Sequence, residues 1–443
     1  MTHPTLSVDA PTQLDQLPLT RLHLFVVLLC AVGFTFDLFE IGLGNALSAV
    51  FSTPPHAASK AELSSLLSAP YVGAILGAPL FGRLGDKCGR RLALALLLVV
   101  LALASALCAR SSGIGELTVW RAFAGVGIGG FPPVMIAFLS DVLPPGKRGK
   151  LIFLAAGLGA IGPPAAVFVV RWLTPLAPFG YQGWQWAFAI GTVGALGASL
   201  LLLLVPESPR WLHAVGRQEE ALAAAKRFAA SKPLGSGRVS RAAPTSTPTT
   251  APVRQGGTAA TLALCMVYFL SPWSTVAFPL LSGAILMGKG FRLDDTLLFV
   301  GLSTLAPILG TMLAASVVDR FDRRAALGGC ACLMAVSGFC FALADQPAVL
   351  VASSLTFLLG ASVYLPVLTT SGAELFPTKH RAFGSSGAWA LNRMGAAIAP
   401  IALLPLLATV GPLGMASLIC ATLVVTIILF ATLPRGLALR SLR

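Results

Sequence analysis

The chain is crowded with apolar stretches of the length that carries a helix through a bilayer, and that pattern leaves few folds open to it. A hydrocarbon core of about 30 Å takes about 20 apolar residues at the helical rise of about 1.5 Å. About twelve such stretches are legible, at 22–52, 61–82, 92–110, 114–140, 151–172, 184–205, 259–288, 295–318, 325–344, 348–372, 383–408 and 411–433. Several exceed the core thickness, which tilt or helical ends outside the lipid absorb. Segments this apolar are expected to be helical, because a helix satisfies its own backbone hydrogen bonds where water is absent. The expected fold class is therefore an all-α integral membrane protein. Composition agrees: only 11% of residues are charged and 56% are hydrophobic, with a mean hydropathy of +0.83. A disordered chain, a disulfide scaffold and most soluble enzymes are excluded.

The net charge of +14 would suit a nucleic-acid binder, so the positions of the basic residues decide its meaning. With an even number of spans both termini lie on one side, and 24 of the 31 Lys and Arg fall there. They include Arg83, Lys87, Arg90 and Arg91, then Lys147, Arg148 and Lys150, then eight between Arg210 and Arg254. The opposite side receives Lys60, Arg110, Arg171, Lys289 and Arg292. Under the positive-inside rule both termini are expected in the cytoplasm. Nucleic acid is not expected as a partner, since that needs one continuous basic face. The segment before Arg21 is polar, contains Pro4, Pro11 and Pro18, lacks a basic n-region, and is not expected to be a cleaved signal peptide. The eight cysteines form no CxxC pair and read as small buried hydrophobes, with no metal site expected.

The rhythm of spans divides the chain into a tail at 1–21, a bundle of six helices at 22–205, a linker at 206–258, a second bundle at 259–433 and a tail at 434–443. Within the linker, Gly216 to Ala230 reads as a short surface helix, with Glu219 and Glu220 near its start and Lys226 and Arg227 near its end. Pro, Ser, Thr and Gly dominate from Ser231 to Gly257. The two bundles repeat each other. Asp86-Lys87-Cys88-Gly89-Arg90-Arg91 follows span 2, and Asp319-Arg320-Phe321-Asp322-Arg323-Arg324 follows span 8. Asp141-x-x-Pro144-x-x-x-Arg148 follows span 4, and Glu374-x-x-Pro377-x-x-x-Arg381 follows span 10. Every matched pair is offset by 233 residues, as an internal duplication requires. Parallel repeats of this kind build transporters with a site between the halves.

The run Gly82-Arg83-Leu84-Gly85-Asp86-Lys87-Cys88-Gly89-Arg90-Arg91 resembles the loop signature between spans 2 and 3 of the major facilitator superfamily. Arg121-x-x-x-Gly125-x-Gly127-x-Gly129 and Pro206-Glu207-Ser208-Pro209-Arg210-Trp211-Leu212 resemble its sugar-porter and metabolite:proton symporter branches, including those for aromatic and other organic acids. The resemblance covers nearly all of the chain apart from the tails and 231–257, with Asp322 standing where the second loop would have glycine. It implies alternating access by rocking of the two halves. Gly82 and Gly89 would allow a tight turn, Asp86 would accept hydrogen bonds at a neighbouring helix end, and Arg90 and Arg91 would reach carboxylates. Asp141 with Arg148, Asp319 with Arg323, and Glu374 with Arg381 are the further expected gating groups.

Four charges sit well within the apolar spans, namely Asp37, Glu40, Arg121 and Arg393. Each costs roughly 2.5–3.5 kcal/mol at the bilayer centre, so each invites a functional explanation. At 1.5 Å per residue Asp37 lies about 20 Å up from the cytoplasmic start of span 1, and Arg121 about 10 Å down from the outer start of span 4. They are expected at similar height and within reach of each other. The resemblance implies the same, because in related symporters an acid in span 1 and an arginine in span 4 form a proton-coupling couple. Glu40 shares a helix face with Asp37, so either acid carries the proton or the two titrate together. A static ion pair is the competing reading. In span 11, Asn392 and Arg393 fall about 15 Å in, and the positions 233 beyond Asp37 and Glu40 are Leu270 and Trp273. Arg393 thus has no matching acid in its own half, and binding a substrate carboxylate or pairing with Glu40 or backbone carbonyls would each occupy it. Tyr268, Trp273 and Trp389 are candidates to stack on a flat ring, or to pack within the membrane.

Neither span 5 nor span 7 contains the glutamines expected of a sugar porter, and Gly157 to Pro164 only weakly resembles a drug-antiporter motif. No P-loop, HExxH motif or catalytic Ser/His/Asp set supports an enzyme, and all five histidines lie outside the spans or at their ends. The expectation is a monomeric carrier in a bacterial inner membrane that takes up a small organic anion, an aromatic or other carboxylic acid, together with protons. A proton-coupled efflux antiporter and a sugar or polyol symporter are the alternatives. No cofactor is expected, the proton gradient being the energy source.

Overall fold

The computed structural model describes residues 17–234, 258–320, 322–375 and 381–433. Among them the chain is helical, with one isolated bridge between Thr20 and Pro233 and no strand. The first half contains α1 (Arg21–Val50), α2 (Lys60–Cys88), α3 (Arg90–Ala109) and α4 (Ile114–Val142). Its fifth crossing is made by α5 (Arg148–Gly159) and α6 (Gly162–Leu173) end to end, and α7 (Gly183–Leu202) completes it. Two short helices follow, α8 (Pro209–Ala214) and α9 (Gln218–Ala230).

In the second half the seventh crossing is assembled from α10 (Thr258–Leu270), α11 (Pro272–Thr275) and α12 (Ala277–Gly288), and the eighth from α13 (Leu293–Ser303) and α14 (Ala306–Arg320). Then come α15 (Arg323–Leu343), α16 (Pro347–Leu375) and α17 (Arg381–Thr432). Among the described residues eleven segments are long and apolar enough to cross a membrane, and the last of them, Gly387–Thr432, has 46 residues. At 1.5 Å per residue it measures about 69 Å, roughly two hydrocarbon thicknesses. Gly411 breaks it with φ of 68°, ahead of Pro412, so this segment crosses twice. Spans 11 and 12 are therefore consecutive lengths of one helical run that reverses at this glycine. The chain is a multi-pass membrane protein of the all-α kind.

Three crossings that read as continuous apolar runs are interrupted, at 160–161, 271–276 and 304–305. Hydropathy does not register such breaks, but proline does. Pro163, Pro272 and Pro307 each sit in the first turn of the helix that resumes, where a missing N–H and a fixed φ do least harm. Irregular backbone at membrane depth is tolerated where protein surrounds it or where it faces a polar cavity.

Helices α2 and α4 pack through small residues. A side chain at Gly125 or Gly129 would run into the backbone at Pro70 or Ala74, which explains the glycine spacing downstream of Arg121. At the loop between α2 and α3, Gly89 has φ of 106°, and any Cβ there would strike the Glu207 carboxylate. That carboxylate accepts the Arg91 backbone N–H at 3.1 Å through both oxygens and so caps the start of α3. The Trp211 indole donates to Asp86 O at 2.8 Å, and Arg91 Nη1 donates to Val205 O at 2.9 Å. The loop motif and the Pro206–Leu212 motif are thus one locked unit. Helix α9 buries Ala221, Ala224, Ala225 and Phe228, one helical stripe, and its end pairs with the segment ahead of α1 through Arg21 N to Lys232 O at 3.0 Å.

Between the halves, α1 packs on α12, α2 on α17, and α5 and α6 on α14 and α13. One cluster of buried apolar side chains runs through both, from Leu43 and Leu47 of α1 to Phe278 and Leu281 of α12. On the face opposite the termini, Arg171 at the end of α6 donates to Asp294 at the start of α13, at 2.8 Å to the carboxylate and 3.2 Å to the carbonyl. On the same face Lys289 donates to Ala342 O and Ala344 O at 2.9 and 2.6 Å, capping the C-terminus of α15. Basic residues on this sparsely charged side are held by structure.

Candidate substrate and coupling site

Two of the four intramembrane charges form a closed pair. Arg121 Nη1 donates to Glu40 Oε1 at 3.1 Å and to the Glu40 carbonyl at 2.8 Å. Ser105 Oγ donates to the other carboxylate oxygen at 2.9 Å, and both charged side chains are 1% exposed. The guanidinium also lies over the Phe188 ring, 5.8 Å from its centroid. The expected pairing of Asp37 with Arg121 is therefore corrected: the arginine of span 4 sits on Glu40. Depth explains it. On the face opposite the termini, Arg121 lies about 10 Å inside the start of α4, Glu40 about 15 Å inside the end of α1, and Asp37 about 20 Å inside it. Glu40, one turn nearer, wins the contact.

Asp37 is 1% exposed, and neither carboxylate oxygen has a hydrogen-bond partner among the described residues. Two charges lie in its electrostatic range, Glu40 one turn on along the same helix and Arg393 of the other half. Arg393 of α17 stands in electrostatic range of Asp37, is itself buried, and makes no hydrogen bond among the described residues. Its guanidinium is stacked on Trp389, one turn earlier on the same helix, 4.9 Å from the ring centroid. An unpaired acid and an unpaired base thus confront each other across the interface of the halves, near the middle of the membrane-spanning layer.

The other residues expected at the substrate site divide. Asn392 Nδ2 donates to Tyr268 O at 3.2 Å and to Ser271 Oγ at 2.9 Å, so it staples the break between α10 and α11 to α17. The Tyr268 hydroxyl donates to Leu368 O at 3.5 Å and its ring belongs to the apolar cluster between the halves. Trp273 and Trp389 both pack at the edge of that cluster with indole nitrogens that have no partner. Sequence reasoning missed Tyr71, which lies on α2, is buried, and stands in electrostatic range of both Arg393 and Arg121. The signal was present, since Ser64, Ser68 and Tyr71 place a polar stripe at helical spacing inside an apolar span, and all three are buried. Ser105, the donor to Glu40, was missed as well.

On the face of the termini, Arg90 Nη1 bonds Asp86 Oδ1 at 2.6 Å, and Arg90 Nε lies 3.6 Å from Asp141 Oδ2. Ser208 Oγ donates to the same Asp141 oxygen at 3.1 Å, with Arg148 and Arg210 also in its electrostatic range. The Asp86 carboxylate accepts from the side chain of Arg90, the first residue of α3, because Gly89 turns the chain back and brings Arg90 over it. Nothing lies near a Cβ at Gly82. The side chains of Asp319, Arg323, Glu374 and Arg381 lie outside the described residues, so the matching network of the second half is not described.

The helices of both halves pack around buried charges, and the comparisons say which family the chain belongs to. The family model for "Sugar (and other) transporter" matches residues 24–435, and the chain belongs to that family, within the major facilitator superfamily. Among curated proteins it is 28% identical over 421 residues to the niacin transporter NiaP of Acinetobacter baylyi, covering 89% of each chain. It is 26% identical over 407 residues to the gallate transporter of Pseudomonas putida, covering 88% of this chain and 87% of that one. Among solved structures, that of the D-xylose-proton symporter superposes with a TM-score of 0.72 at 18% identity, over 94% of this chain and 99% of that one. The protein is thus a transporter of small molecules.

Proposed function

We propose that the chain imports a small organic anion, an aromatic or other carboxylic acid, together with a proton. The observation that carries this reading is Arg393, a buried guanidinium without a hydrogen bond among the described residues, in electrostatic range of an equally unpartnered Asp37. A planar guanidinium fork matches a carboxylate in two parallel hydrogen bonds. A carboxylate on Arg393 takes up the positive charge that Asp37 faces, so binding of the anion and binding of a proton at Asp37 favour each other. Anion and proton then move as a neutral unit, and the rocking of the halves carries both across. Glu40 and Arg121 already satisfy one another, which leaves Asp37 as the acid free to load and unload. Two relatives are named for niacin and gallate, both ring carboxylates, and they support the same substrate class. The basic residues concentrated on the face of the termini support that face in the cytoplasm, and the two bacterial relatives support a bacterial inner membrane. A single chain supplies every group the mechanism uses, in line with a monomer, and the proton gradient is the energy source.

Arg393→Lys keeps the charge and removes the fork. Equilibrium binding of a ring carboxylate to the purified variant is expected to weaken about tenfold, the worth of one charge-assisted hydrogen bond, while binding of its neutral amide stays near the wild-type level. Equal loss for acid and amide would show that Arg393 shapes the helix packing and does not read the carboxylate.

A further inference from the structure

The chain has seven tryptophans, and their indole N–H groups are not treated alike. Trp120 donates to Glu116 at 3.4 Å, Trp184 to Gln182 at 2.7 Å, Trp186 to Pro178 O at 3.0 Å and Trp211 to Asp86 O at 2.8 Å. Trp172 is 73% exposed in the last turn of α6, so its N–H is not buried in the protein. The two that remain, Trp273 and Trp389, have buried indole nitrogens and no acceptor among the described residues. A buried donor left unmade costs about 1–3 kcal/mol, and folded proteins rarely carry one without a reason.

Trp389 sits beside Arg393, and Trp273 lies on the short helix tied to the adjoining Asn392. Trp389 is one turn away on α17, and its ring is held face-on by the guanidinium at 4.9 Å, which fixes the direction of its N–H. Trp273 lies on the four-residue α11, two positions after Ser271, which accepts from Asn392, the residue adjoining Arg393. The short helix that carries one indole is therefore stapled to the turn that carries the other.

We propose that Trp273 and Trp389 are specificity-determining hydrogen-bond donors, and that the substrate bears an acceptor atom on its ring, a nitrogen or an oxygen, in addition to its carboxylate. The inference rests on the reading of Arg393 as the carboxylate site and narrows the class to ring acids with a second polar point. An acid without that point leaves two desolvated N–H groups unmade, and a site built on hydrogen bonds rejects such an analogue strongly. The stack on Arg393 gives Trp389 a second task, holding the fork in position, which Phe retains in part.

The test is equilibrium binding to the intact protein in detergent, by calorimetry, with pyridine-3-carboxylate, 4-hydroxybenzoate and benzoate. In the wild type at least one of the two acceptor-bearing acids is expected to bind about tenfold or more tightly than benzoate, a ratio that needs no variant and no assumption about folding. In the Trp273→Phe/Trp389→Phe protein that preference is expected to collapse toward one, through loss of affinity for the favoured acid with benzoate little changed. Benzoate bound as tightly as both other acids by the wild type overturns the inference and leaves the carboxylate reading intact. A preference that survives in the double variant also overturns it. Binding of no acid, with the neutral amides bound, overturns the carboxylate reading and this inference together.

Discussion

Proteoliposomes carrying Asp37→Asn are expected to lose accumulation of the anion driven by a proton gradient, while exchange of labelled for unlabelled substrate continues. The asparagine side chain has nearly the size of the aspartate and cannot take up or release a proton at neutral pH. If one proton accompanies one anion, an inward gradient of about one pH unit sustains a concentration ratio of about tenfold, since one unit and one decade are each worth about 1.4 kcal/mol. The variant is expected to level off near a ratio of about one. Exchange survives because it needs loaded carrier on both faces and no net proton movement. Asp37 is the acid to test because both its oxygens are buried without partners among the described residues and the opposite charge in its range, Arg393, lies in the other half. Accumulation by Asp37→Asn to the wild-type level would remove Asp37 from the coupling mechanism.

The second large effect is on the fold. Glu40→Gln leaves the Arg121 guanidinium buried beside a neutral amide, and Arg121→Met leaves the Glu40 carboxylate with Ser105 alone. Breaking a buried ion pair from one side costs about 3–5 kcal/mol, whereas replacing both partners by groups of similar size is often close to neutral. Each single variant is expected to melt well below the wild type in detergent, and the double variant Glu40→Gln/Arg121→Met to recover most of the loss. The same experiment divides the two acids by role. A Glu40→Gln protein that melts with the wild type but no longer accumulates substrate would make Glu40 the titrating group and leave Asp37 a bystander.

The fold was largely legible in the sequence. Apolar runs place the crossings, and the shared offset between Asp86 and Asp319 and between Asp141 and Glu374 exposes the two halves. The breaks within the fifth, seventh and eighth crossings were not, because a hydropathy average is blind to a kink, although Pro163, Pro272 and Pro307 marked the places. At the site, the four intramembrane charges were visible because charge is rare at that depth. Their pairing was not. Asp37 and Glu40 share a face of α1 and differ in height by one turn, about 5 Å, which is smaller than the uncertainty in where a span begins. The choice of Arg121 between them depends on the height of α4 against α1, where Phe131 of α4 packs on Gly33 of α1, and that is read only from the assembled helices. Tyr71 and the unpartnered indoles belong to the same category: a residue type is read from sequence, whereas the lack of a partner is read only from the assembled helices.

The account stands on the claim that anion and proton enter together, and proton movement itself is the direct readout. Vesicles loaded with a pH-sensitive dye, with no initial pH gradient, receive pyridine-3-carboxylate outside, with protein-free vesicles setting the passive baseline and labelled acid reporting uptake. The prediction is acidification of the lumen beyond that baseline, one proton for each molecule taken up. Uptake of the acid with no change in internal pH, or with alkalinisation, would contradict it.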